Sequence, residues 1–403
     1  MSNAAVSRRE PVSPETETVA APAAELATSV AVTRLALTDF RCYRGLRLTA
    51  DARPVVLTGP NGAGKTNLLE AISFLSPGRG LRRARLDSCD RIGGDNTTWA
   101  VSASLATPLG PVDIGTGREA TGEGDGAGRR VVRIAGVSQR GQAVLAEYVA
   151  LAWLTPQMDR LFLEGAGPRR RFLDRLVFGF DPGHARRLAA YEHAMRERAR
   201  LLADGARDAA WLTALEDGMA GDGVAVAAAR VQQVERLNGA QGRRRGPFPA
   251  ADLALKGTLE TWLGEAPALA VEDRFRALLA DNRRRDAEAG GAADGPHRTD
   301  LLARHRIKGM AAAQCSTGEQ KAMLIAIVLA DAWLQAEARG QAPILLLDEI
   351  AAHLDEARRR ALFDELLALG GQAWLTGTDS ALFEPLGDNA QHFRVFDATI
   401  HSA

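Results

Sequence analysis

Apolar and polar residues alternate with a period of two in several short segments of the first third of the chain. Residues 32–37 and 46–48 show this alternation, and residues 55–58 form a short apolar run that ends in threonine. The first pattern is typical of half-buried strands and the second of a strand buried on both faces. The same reasoning predicts further strands at residues 99–105, 112–114 and 131–134. The glycine-rich stretch 115–129 is predicted to be a flexible loop.

The spacing of apolar residues becomes helical at about residue 160 and stays so to residue 289. Residues 188–195 and 224–237 are the clearest helical segments, and residues 242–249 interrupt the pattern with glycine and proline. A β pattern returns at residues 295–302. In the last part of the chain we predict helices at residues 322–338 and 356–369 and strands at residues 344–349, 372–376 and 392–396.

These patterns predict an α/β protein with an insertion. Residues 31–160 and 290–403 would form one domain, a mixed sheet with flanking helices, and residues 161–289 a mainly helical lobe inserted into it. The helical block is too short, and too often broken by glycine and proline, to be a long coiled-coil arm. Residues 1–30 are rich in Ala, Pro, Glu, Thr and Ser without periodicity, so we predict a disordered tail that the fold does not need.

A glycine-rich segment follows the strand predicted at residues 55–58 and precedes a helical pattern. Residues 59–66 read Gly-Pro-Asn-Gly-Ala-Gly-Lys-Thr and satisfy the pattern G-x-x-x-x-G-K-[S/T]. Glycines let the backbone curl so that its N–H groups surround a polyphosphate, and the helix N-terminus adds positive potential. Lys65 would reach the β- and γ-phosphates, and Thr66 would ligate Mg²⁺. The predicted nucleotide-binding residues of this loop are Gly59, Pro60, Asn61, Gly62, Ala63, Gly64, Lys65 and Thr66.

Two carboxylates end the strand predicted at residues 344–349. Because α/β sheets bind ligands at the carboxyl ends of their strands, Asp348 would hold Mg²⁺ and Glu349 would orient and deprotonate the attacking water. Ser316 and Gly318 stand at the start of the preceding helix, where a hydroxyl and a backbone N–H can grip a γ-phosphate. Each signal alone has a simpler interpretation, a strand end or a helix N-cap. Their order after the phosphate loop favours a nucleotide site.

Composition limits the remaining possibilities. The formal net charge is zero, so attraction to nucleic acid has to come from local charge. Two basic stretches, residues 76–85 and 168–200, fit either phosphate contacts or solvated surfaces, and the second has nine arginines against four acidic residues. Cys42, Cys89 and Cys315 show neither metal-ligand spacing nor a disulfide pattern, and no apolar run reaches ~18 residues. We therefore expect a cytoplasmic protein without a membrane span.

The order of phosphate loop, long insertion, Ser-x-Gly at a helix start and Leu-Leu-Leu-Asp-Glu resembles ATP-binding-cassette (ABC) ATPases of the SMC-like branch. Within that branch the chain resembles the RecF family of bacterial recombination mediators over about residues 31–400. The stretches that carry the likeness are residues 37–43, 59–67, 167–174, 295–301 and 316–355, with Tyr191 and Arg196. Residues 167–174 and 295–301 are the specific ones, since the ATPase motifs alone fit many relatives.

The resemblance implies an ABC-type ATPase head that carries a compact helical lobe and binds ATP and Mg²⁺ between two subunits. The phosphate loop of one subunit would face Ser316, Gly318 and Glu319 of the other. The further residues implied at the nucleotide are Asn67, Arg41 near the phosphates, Gln157 as the loop glutamine that senses Mg²⁺ and water, and Asp355. The implied catalytic set is Lys65, Gln157 and Glu349, and the implied Mg²⁺ ligands are Thr66, Asp348 and Gln157.

Two positions depart from the ABC pattern. The signature has Glu319 where ABC proteins often have glutamine, which puts a charge near the γ-phosphate. After the strand predicted at residues 372–376, the chain lacks the histidine of transport ABC proteins, so Thr376 or Thr378 is the candidate replacement. The missing histidine argues against a transporter subunit and indicates slow hydrolysis.

The resemblance implies a DNA-binding, weak ATPase of recombinational repair and replication. ATP binding would drive dimerisation on double-stranded or gapped DNA, and DNA-stimulated hydrolysis would release the dimer. The family works with RecR and RecO to help load RecA on single-stranded gaps. The neutral net charge keeps a second hypothesis open, an ATP-switched protein-interaction module without direct DNA binding. A metabolite kinase is disfavoured by the Ser-x-Gly element and by Glu349 directly after Asp348.

Overall fold

The computed structural model describes residues 29–91, 93, 98–119, 128–205, 208–243 and 247–402. Residues 1–28 of the predicted tail lie outside these ranges. The last two residues assigned to the tail belong to the fold, because Val30 is buried and the Ser29 hydroxyl donates a hydrogen bond of 3.0 Å to the carbonyl of Gly370. Packing therefore begins two residues earlier than the sequence predicts.

The strands are β1 (Ala31–Phe40), β2 (Tyr43–Thr49), β3 (Val55–Thr58), β4 (Trp99–Ala106), β5 (Val112–Glu119), β6 (Arg129–Ile134), β7 (Val137–Ser138), β8 (Leu151–Leu154), β9 (Ala251–Lys256), β10 (Asp300–His305), β11 (Ile344–Leu347), β12 (Ala373–Gly377), β13 (Gln391–Phe396) and β14 (Thr399–Ser402). The α-helices are α1 (Lys65–Ser73), α2 (Leu145–Tyr148), α3 (Ala166–Phe178), α4 (His184–Ala203), α5 (Ala209–Arg243), α6 (Thr258–Leu263), α7 (Ala268–Asp281), α8 (Arg283–Ala289), α9 (Thr317–Arg339) and α10 (Glu356–Leu369).

A mixed sheet with strand order β14-β13-β3-β12-β11-β8 forms the centre of the molecule. Its pairs are parallel except for the antiparallel pair β13–β14. Successive side chains of β11 enter opposite cores, because Ile344 packs toward α1 whereas Leu345 packs with α9 and α10. Such two-sided burial requires an unbroken apolar strand, which explains why residues 344–347 and 55–57 are continuously hydrophobic.

An antiparallel sheet of order β2-β1-β4-β5-β6-β7 packs on the other side of α1. Leu68 and Ile72 of α1 share one buried cluster with Leu35 and Leu37 of β1. Trp99 adds an edge-to-face contact with Phe40, with ring centroids 5.3 Å apart. Helix α1 is therefore clamped between two sheets, which fixes the phosphate loop at its N-terminus.

The inserted region is mainly helical, as predicted, but one helix belongs to two cores. Helix α5 has 35 residues, which corresponds to a length of about 50 Å. Val224 and neighbouring residues pack with Phe275 in a small cluster of their own, whereas Leu237 packs in the main core with α9. Arg198 of α4 is buried and pairs with Glu216 and Asp286 at 2.9 Å each, which joins α4, α5 and α8.

The structure confirms the α/β class and most predicted elements, including helix α10 at both ends. Three predictions were wrong. Residues 115–119 of the supposed flexible loop are part of β5, while residues 120–127 lie outside the described residues. The β pattern at residues 295–302 yields strand β10, which pairs with the unpredicted β9 of the insertion instead of joining the mixed sheet. Strand β14 follows the strand that was expected to be the last.

Candidate nucleotide-binding site

The phosphate loop connects strand β3 to helix α1, and its glycines have backbone conformations that other residues rarely adopt. Gly59 has φ 151° and Gly64 has φ 112°. A Cβ on Gly59 would lie 2.1 Å from the carbonyl oxygen of Val395, and one on Gly64 would lie 2.6 Å from the Tyr43 hydroxyl oxygen. Both distances exclude a side chain, so the close approach of neighbouring strands fixes the shape of the loop.

The Lys65 side chain curls over the phosphate loop. Its ammonium nitrogen donates hydrogen bonds to the carbonyls of Gly59 at 2.7 Å and Pro60 at 2.9 Å. The same nitrogen lies 3.9 Å from Oε1 of Glu349. Burial lowers the pKa of Lys65, and the carboxylates of Glu349 and Asp348 oppose that shift. The ammonium group is thus positioned at the mouth of the loop, where phosphate oxygens are stronger acceptors than neutral carbonyls.

Asp348 follows strand β11 and accepts two hydroxyl hydrogen bonds on the same oxygen. Thr66 Oγ1 donates to Asp348 Oδ1 at 2.9 Å, and Thr376 Oγ1 donates to it at 2.8 Å. Burial raises the pKa of Asp348, and these two hydrogen bonds counteract the shift by stabilising the carboxylate. A hydroxyl beside a carboxylate fits Mg²⁺, which prefers hard oxygen ligands and keeps phosphate and water oxygens for the rest of its shell.

Glu349 has a strained backbone at the end of the same strand. Its φ is 53°, a left-handed conformation that is uncommon for a residue with a side chain. The backbone N–H of Glu349 donates to Thr376 Oγ1 at 2.9 Å, which anchors this conformation. Its carboxylate is 29% exposed and faces the Lys65 ammonium group. A partly exposed carboxylate held beside the phosphate loop has the placement that a general base for water requires.

Thr376 is the threonine that contacts the carboxylate of Asp348 and the backbone of Glu349. The sequence left Thr376 and Thr378 as alternatives for the missing histidine. Thr376 is buried and links Asp348 to the backbone of Glu349, whereas Thr378 is exposed. The last residues of β12 thus complete the site, and sequence position alone could not choose between the two hydroxyls.

Gln157 lies in a short 3₁₀ turn, Pro156–Arg160, directly after strand β8. Strand β8 pairs in parallel with β11, so this turn is at the sheet edge that also carries Asp348. The Gln157 side chain is exposed. In the same turn Asp159 accepts a hydrogen bond of 3.1 Å from Lys321 of α9. The turn is therefore connected to the helix that begins at the signature, while contact of Gln157 with Mg²⁺ stays a prediction.

The signature residues form a complete capping box at the start of α9. The Ser316 hydroxyl accepts from the Glu319 N–H at 3.3 Å, and the Glu319 carboxylate accepts from the Ser316 N–H at 3.1 Å. Ser316 and Gly318 are exposed, so they are accessible to a second molecule. Glu319 forms an ion pair with Lys308, a partner that the sequence analysis missed because it lies in the turn after β10. The capping box does not test the predicted contact of these residues with a γ-phosphate, which stays a prediction.

Arg41 makes contacts different from those expected. Its guanidinium donates two hydrogen bonds to the buried Glu70 of α1, at 2.8 and 2.9 Å, and a third to the Ser88 carbonyl at 2.6 Å. Arg82 also bonds Glu70, at 3.1 Å, and reaches Oδ1 of Asn67 at 2.8 Å. Arg41 therefore neutralises a carboxylate inside α1, and its predicted place near the phosphates remains untested.

Asp355, the remaining residue implied by the resemblance, is the N-cap of α10. Its Oδ1 accepts from the Arg358 N–H at 2.8 Å, and its side chain is exposed. Asp355 follows the strand that carries Asp348 and Glu349 by a short 3₁₀ turn. Its predicted contact with a nucleotide across a dimer stays a prediction.

Most arginines of the basic stretch 168–200 have partners within the chain, some of them buried and some at the surface. Arg169 pairs with Asp300, Arg187 with Asp181, and Arg198 with Glu216. Further members with internal partners are Arg170, Arg175, Arg196 and Arg200. This pairing qualifies the simple charge count, because five of the nine arginines form ion pairs, while Arg170 donates to a backbone carbonyl and Arg175 stacks on the Trp153 ring. Among the described residues, Arg171 and Arg186 are exposed members without a recorded ion pair.

The two basic stretches come together in space. Partial burial lowers the pKa of the Arg83 guanidinium, and the charges of nearby Arg171 and Arg79 lower it further, while Glu192 and Asp174 oppose the shift. Arg79 and Arg83 belong to the loop after α1, whereas Arg171 is on α3. Arg79 and Arg171 are exposed. We call these three residues the arginine cluster; it joins the ATPase part of the chain to the start of the insertion.

Among the described residues, no helix is long and apolar enough to cross a membrane. In the same part of the chain, no group of three or more His, Cys, Asp or Glu side chains is arranged to hold a metal ion. The expected Mg²⁺ site needs no such group, because Thr66 and the carboxylate of Asp348 would coordinate the cation together with oxygens of a triphosphate.

The fold and this site together define an ABC-type ATPase head, as predicted. Residues 34–97 match a family model described as an AAA domain. Over 371 residues the chain is 53% identical to the DNA replication and repair protein RecF of Mesorhizobium japonicum, which covers 92% of this chain and 97% of the relative. The protein of the same name from Allorhizobium ampelinum is 51% identical over 92% of this chain and 99% of its own. The chain therefore belongs to the RecF family of DNA replication and repair proteins.

Solved structures support the fold independently. The recombination mediator protein RecF with ATP, described as part of the RecFOR pathway, aligns with a TM-score of 0.78 at 20% identity, over 93% of this chain and 99% of that one. The Smc head domain from Pyrococcus furiosus aligns with a TM-score of 0.50 at 14% identity, over 93% and 96% of the two chains. At these identities the likeness concerns the fold alone.

Proposed function

We propose that this protein is a weak, cytoplasmic ATPase that acts as an ATP-dependent switch in recombinational repair and replication. ATP binding joins two copies of the chain on double-stranded or gapped DNA, and DNA-stimulated hydrolysis releases them. The observation that carries the proposal is the hydrogen-bonded cluster of Thr66, Asp348, Thr376 and Glu349 beside Lys65. A solved relative described as RecF with ATP supports the choice of nucleotide.

Each residue of the cluster has a separate task. The phosphate-loop N–H groups and Lys65 bind the triphosphate of ATP. Thr66 and Asp348 would hold Mg²⁺, which when bound neutralises charge on the phosphate oxygens. The two threonine hydroxyls favour the charged form of Asp348 that a cation needs, against the effect of burial. Glu349 takes the proton of the attacking water, and its hydrogen-bonded backbone keeps the carboxylate at the mouth of the loop.

The exposed start of α9 supports a site completed by a second copy. Ser316 and Gly318 face solvent at the N-terminus of a 23-residue helix, where the helix dipole favours an anion. Lys65 and the carboxylates of Asp348 and Glu349 lie beside the phosphate loop of the same chain. In the proposed dimer, Ser316 of one copy donates to the γ-phosphate bound by the other. Nucleotide binding and dimerisation are then one event.

The arginine cluster supports contact with DNA. Guanidinium groups suit phosphate oxygens, and three of them gathered between the ATPase part and the insertion concentrate positive charge in a chain of zero net charge. On the likeness to recombination mediators of the RecFOR pathway, RecR and RecO are the proposed partners and RecA loading on single-stranded gaps is the proposed outcome.

A second candidate function is an ATP-switched protein-interaction module that does not bind DNA. The observation that favours it is that five arginines of the stretch 168–200 form ion pairs, which lowers the local excess of positive charge. The two functions share the nucleotide site and differ in the partner.

ATP hydrolysis measured with and without double-stranded DNA separates them. We expect slow turnover that DNA stimulates and that Lys65→Ala abolishes, because the ammonium group binds the transferred phosphate. Turnover that persists in Lys65→Ala would refute the assigned site. Lys65-dependent turnover that ignores DNA, together with no DNA binding in the presence of ATP, would favour the protein-interaction module.

A further inference from the structure

The start of α9 carries a negative charge where an ATP-binding surface would be expected to avoid one. Glu319 Oε2 accepts hydrogen bonds from the Ser316 N–H at 3.1 Å and from the Ser316 hydroxyl at 3.0 Å. A carboxylate therefore lies in direct contact with the hydroxyl that would donate to a γ-phosphate. Like charges brought together at an interface oppose association and favour release.

Lys308 compensates this charge from a neighbouring element. Its ammonium group forms an ion pair with Oε1 of Glu319, the carboxylate oxygen that does not bond Ser316. With this lysine and the capping bonds, the pKa of Glu319 falls to about 2, so the carboxylate is charged at neutral pH. The pair as a whole is neutral, and the carboxylate is held within the cap.

The turn that carries Lys308 is well anchored. The Gly309 N–H donates to the His305 carbonyl at 2.8 Å, and the His305 N–H donates to the Met310 carbonyl at 2.8 Å. The Arg304 guanidinium adds a hydrogen bond of 2.6 Å to the Gly309 carbonyl. Lys321, the other lysine near the start of α9, donates a hydrogen bond of 3.1 Å to the carboxylate of Asp159. The backbone of the turn thus positions Lys308 beside Glu319.

We propose that Lys308 is a positioning residue for the signature: by pairing with Glu319 it cancels the charge beside Ser316, so that the triphosphate bound to a second copy of the chain can dock there. The inference rests on the proposed function, because it requires an ATP-bound dimer. It also explains how a signature with glutamate in place of glutamine is compatible with an anionic ligand. Lys308 acts through Glu319 and does not itself need to touch the nucleotide.

A double-mutant cycle on ATP-driven dimerisation tests this role. Dimerisation is measured by sedimentation velocity with ATPγS and Mg²⁺ for the wild type, Lys308→Met, Glu319→Gln and the double variant. We expect Lys308→Met to weaken the dimer on the order of tenfold, since it exposes an uncompensated carboxylate to the triphosphate. In the Glu319→Gln background the same change should have an effect within about twofold, because no charge is left to cancel.

Two further variants serve as controls. Lys308→Arg retains the positive charge and should restore dimerisation to near the wild-type level. Lys256→Met removes an exposed lysine from strand β9, away from the signature, and should leave dimerisation unchanged. Far-ultraviolet circular dichroism of each variant checks that the chain is folded.

The outcomes separate the inference from the function on which it rests. An equal loss on Lys308→Met in both backgrounds would overturn the inference, because Lys308 would then act without Glu319. A wild-type dimer that Lys308→Met does not weaken would also overturn it and leave the proposed function intact. A wild-type chain that stays monomeric with ATPγS and Mg²⁺ would overturn the ATP-driven dimer and the inference together.

Discussion

Thr66 and Asp348 are 282 positions apart in the chain, and a hydrogen bond of 2.9 Å joins them. The threonine is the last residue of the phosphate loop and lies in the first turn of helix α1, and the aspartate directly follows the central strand β11. Their contact closes the two halves of the ATPase fold across the long insertion. A hydroxyl and a carboxylate that meet in this way at the edge of a sheet form the core of the candidate nucleotide site.

Thr376 should be required for hydrolysis more than for ATP binding. Thr376→Val removes the hydrogen bonds to Asp348 Oδ1 and from the Glu349 N–H, at a cost of about 1–3 kcal/mol for buried groups left unpaired. We expect single-turnover hydrolysis to slow about tenfold or more, with a smaller change in the affinity for a fluorescent ATP analogue. Thr376→Ser should keep most activity, and Thr378→Val is the matched control. Equal effects at both threonines would contradict the assignment of Thr376.

The arginine cluster should contribute to DNA affinity in a salt-dependent way. Replacing Arg79, Arg83 and Arg171 by glutamine removes up to three phosphate contacts. The plot of log affinity against log salt concentration has a negative slope. For duplex DNA the magnitude of this slope should then decrease by about 2–3. Fluorescence anisotropy with ATPγS present measures this slope between low and moderate salt.

The matched control for the arginine cluster changes three exposed arginines that form helical ion pairs, Arg200, Arg284 and Arg360. This control variant loses the same number of positive charges as the cluster variant. If the arginine cluster contacts DNA specifically, the control variant should keep the wild-type slope. If both triple variants lower the slope equally, DNA responds to overall charge and the cluster has no special role.

Asp331 should make the stability of the protein depend on pH. It is buried on α9 and accepts from Gln233 and Gln335 at 2.7 Å each, and burial raises its pKa to about 7. A carboxyl whose pKa is raised by folding stabilises the folded state at low pH and loses that contribution as the pH rises through the folded value. The free energy of unfolding from this group should fall by about 1 kcal/mol per pH unit between pH 4 and 7.

Denaturant unfolding of the wild type and Asp331→Asn across that range measures the contribution of Asp331. Asparagine resembles the protonated carboxyl and does not titrate, so the difference in stability between the two proteins should change with pH. A difference that stays constant from pH 4 to 7 would show that Asp331 is ionised throughout.

The sequence was most informative where burial is two-sided and local. Strand β3 and the central run at residues 344–347 could be placed because every residue there is buried, and helix α10 because its buried leucines and phenylalanine recur with helical spacing. The phosphate loop was equally clear, because its shape requires glycines at fixed positions and their spacing can be read directly from the sequence. Family resemblance added Gln157 and Asp355, which no local pattern would have marked.

Long-range pairing was the part that sequence reasoning could not supply. Arg169 meets Asp300 across 131 positions, so a count of charges within one stretch overestimated its free positive charge. Strand β9 was missed because its partner β10 lies beyond the helical lobe. Thr376 could not be chosen over Thr378, and Lys308 could not be found at all, because both reach their partners through tertiary contacts.

The central claim is that ATP is bound between two copies of this chain and that Glu349 removes it by hydrolysis. Sedimentation velocity with ATP and Mg²⁺ tests this claim most directly in the wild type and Glu349→Gln, with Lys65→Ala as the blank. We predict that Glu349→Gln, with hydrolysis slowed on the order of a hundredfold, stays dimeric long after the wild type has returned to monomer. Lys65→Ala should be monomeric throughout. If Glu349→Gln dissociates as fast as the wild type, or if Lys65→Ala dimerises normally, the ATP-driven switch is contradicted.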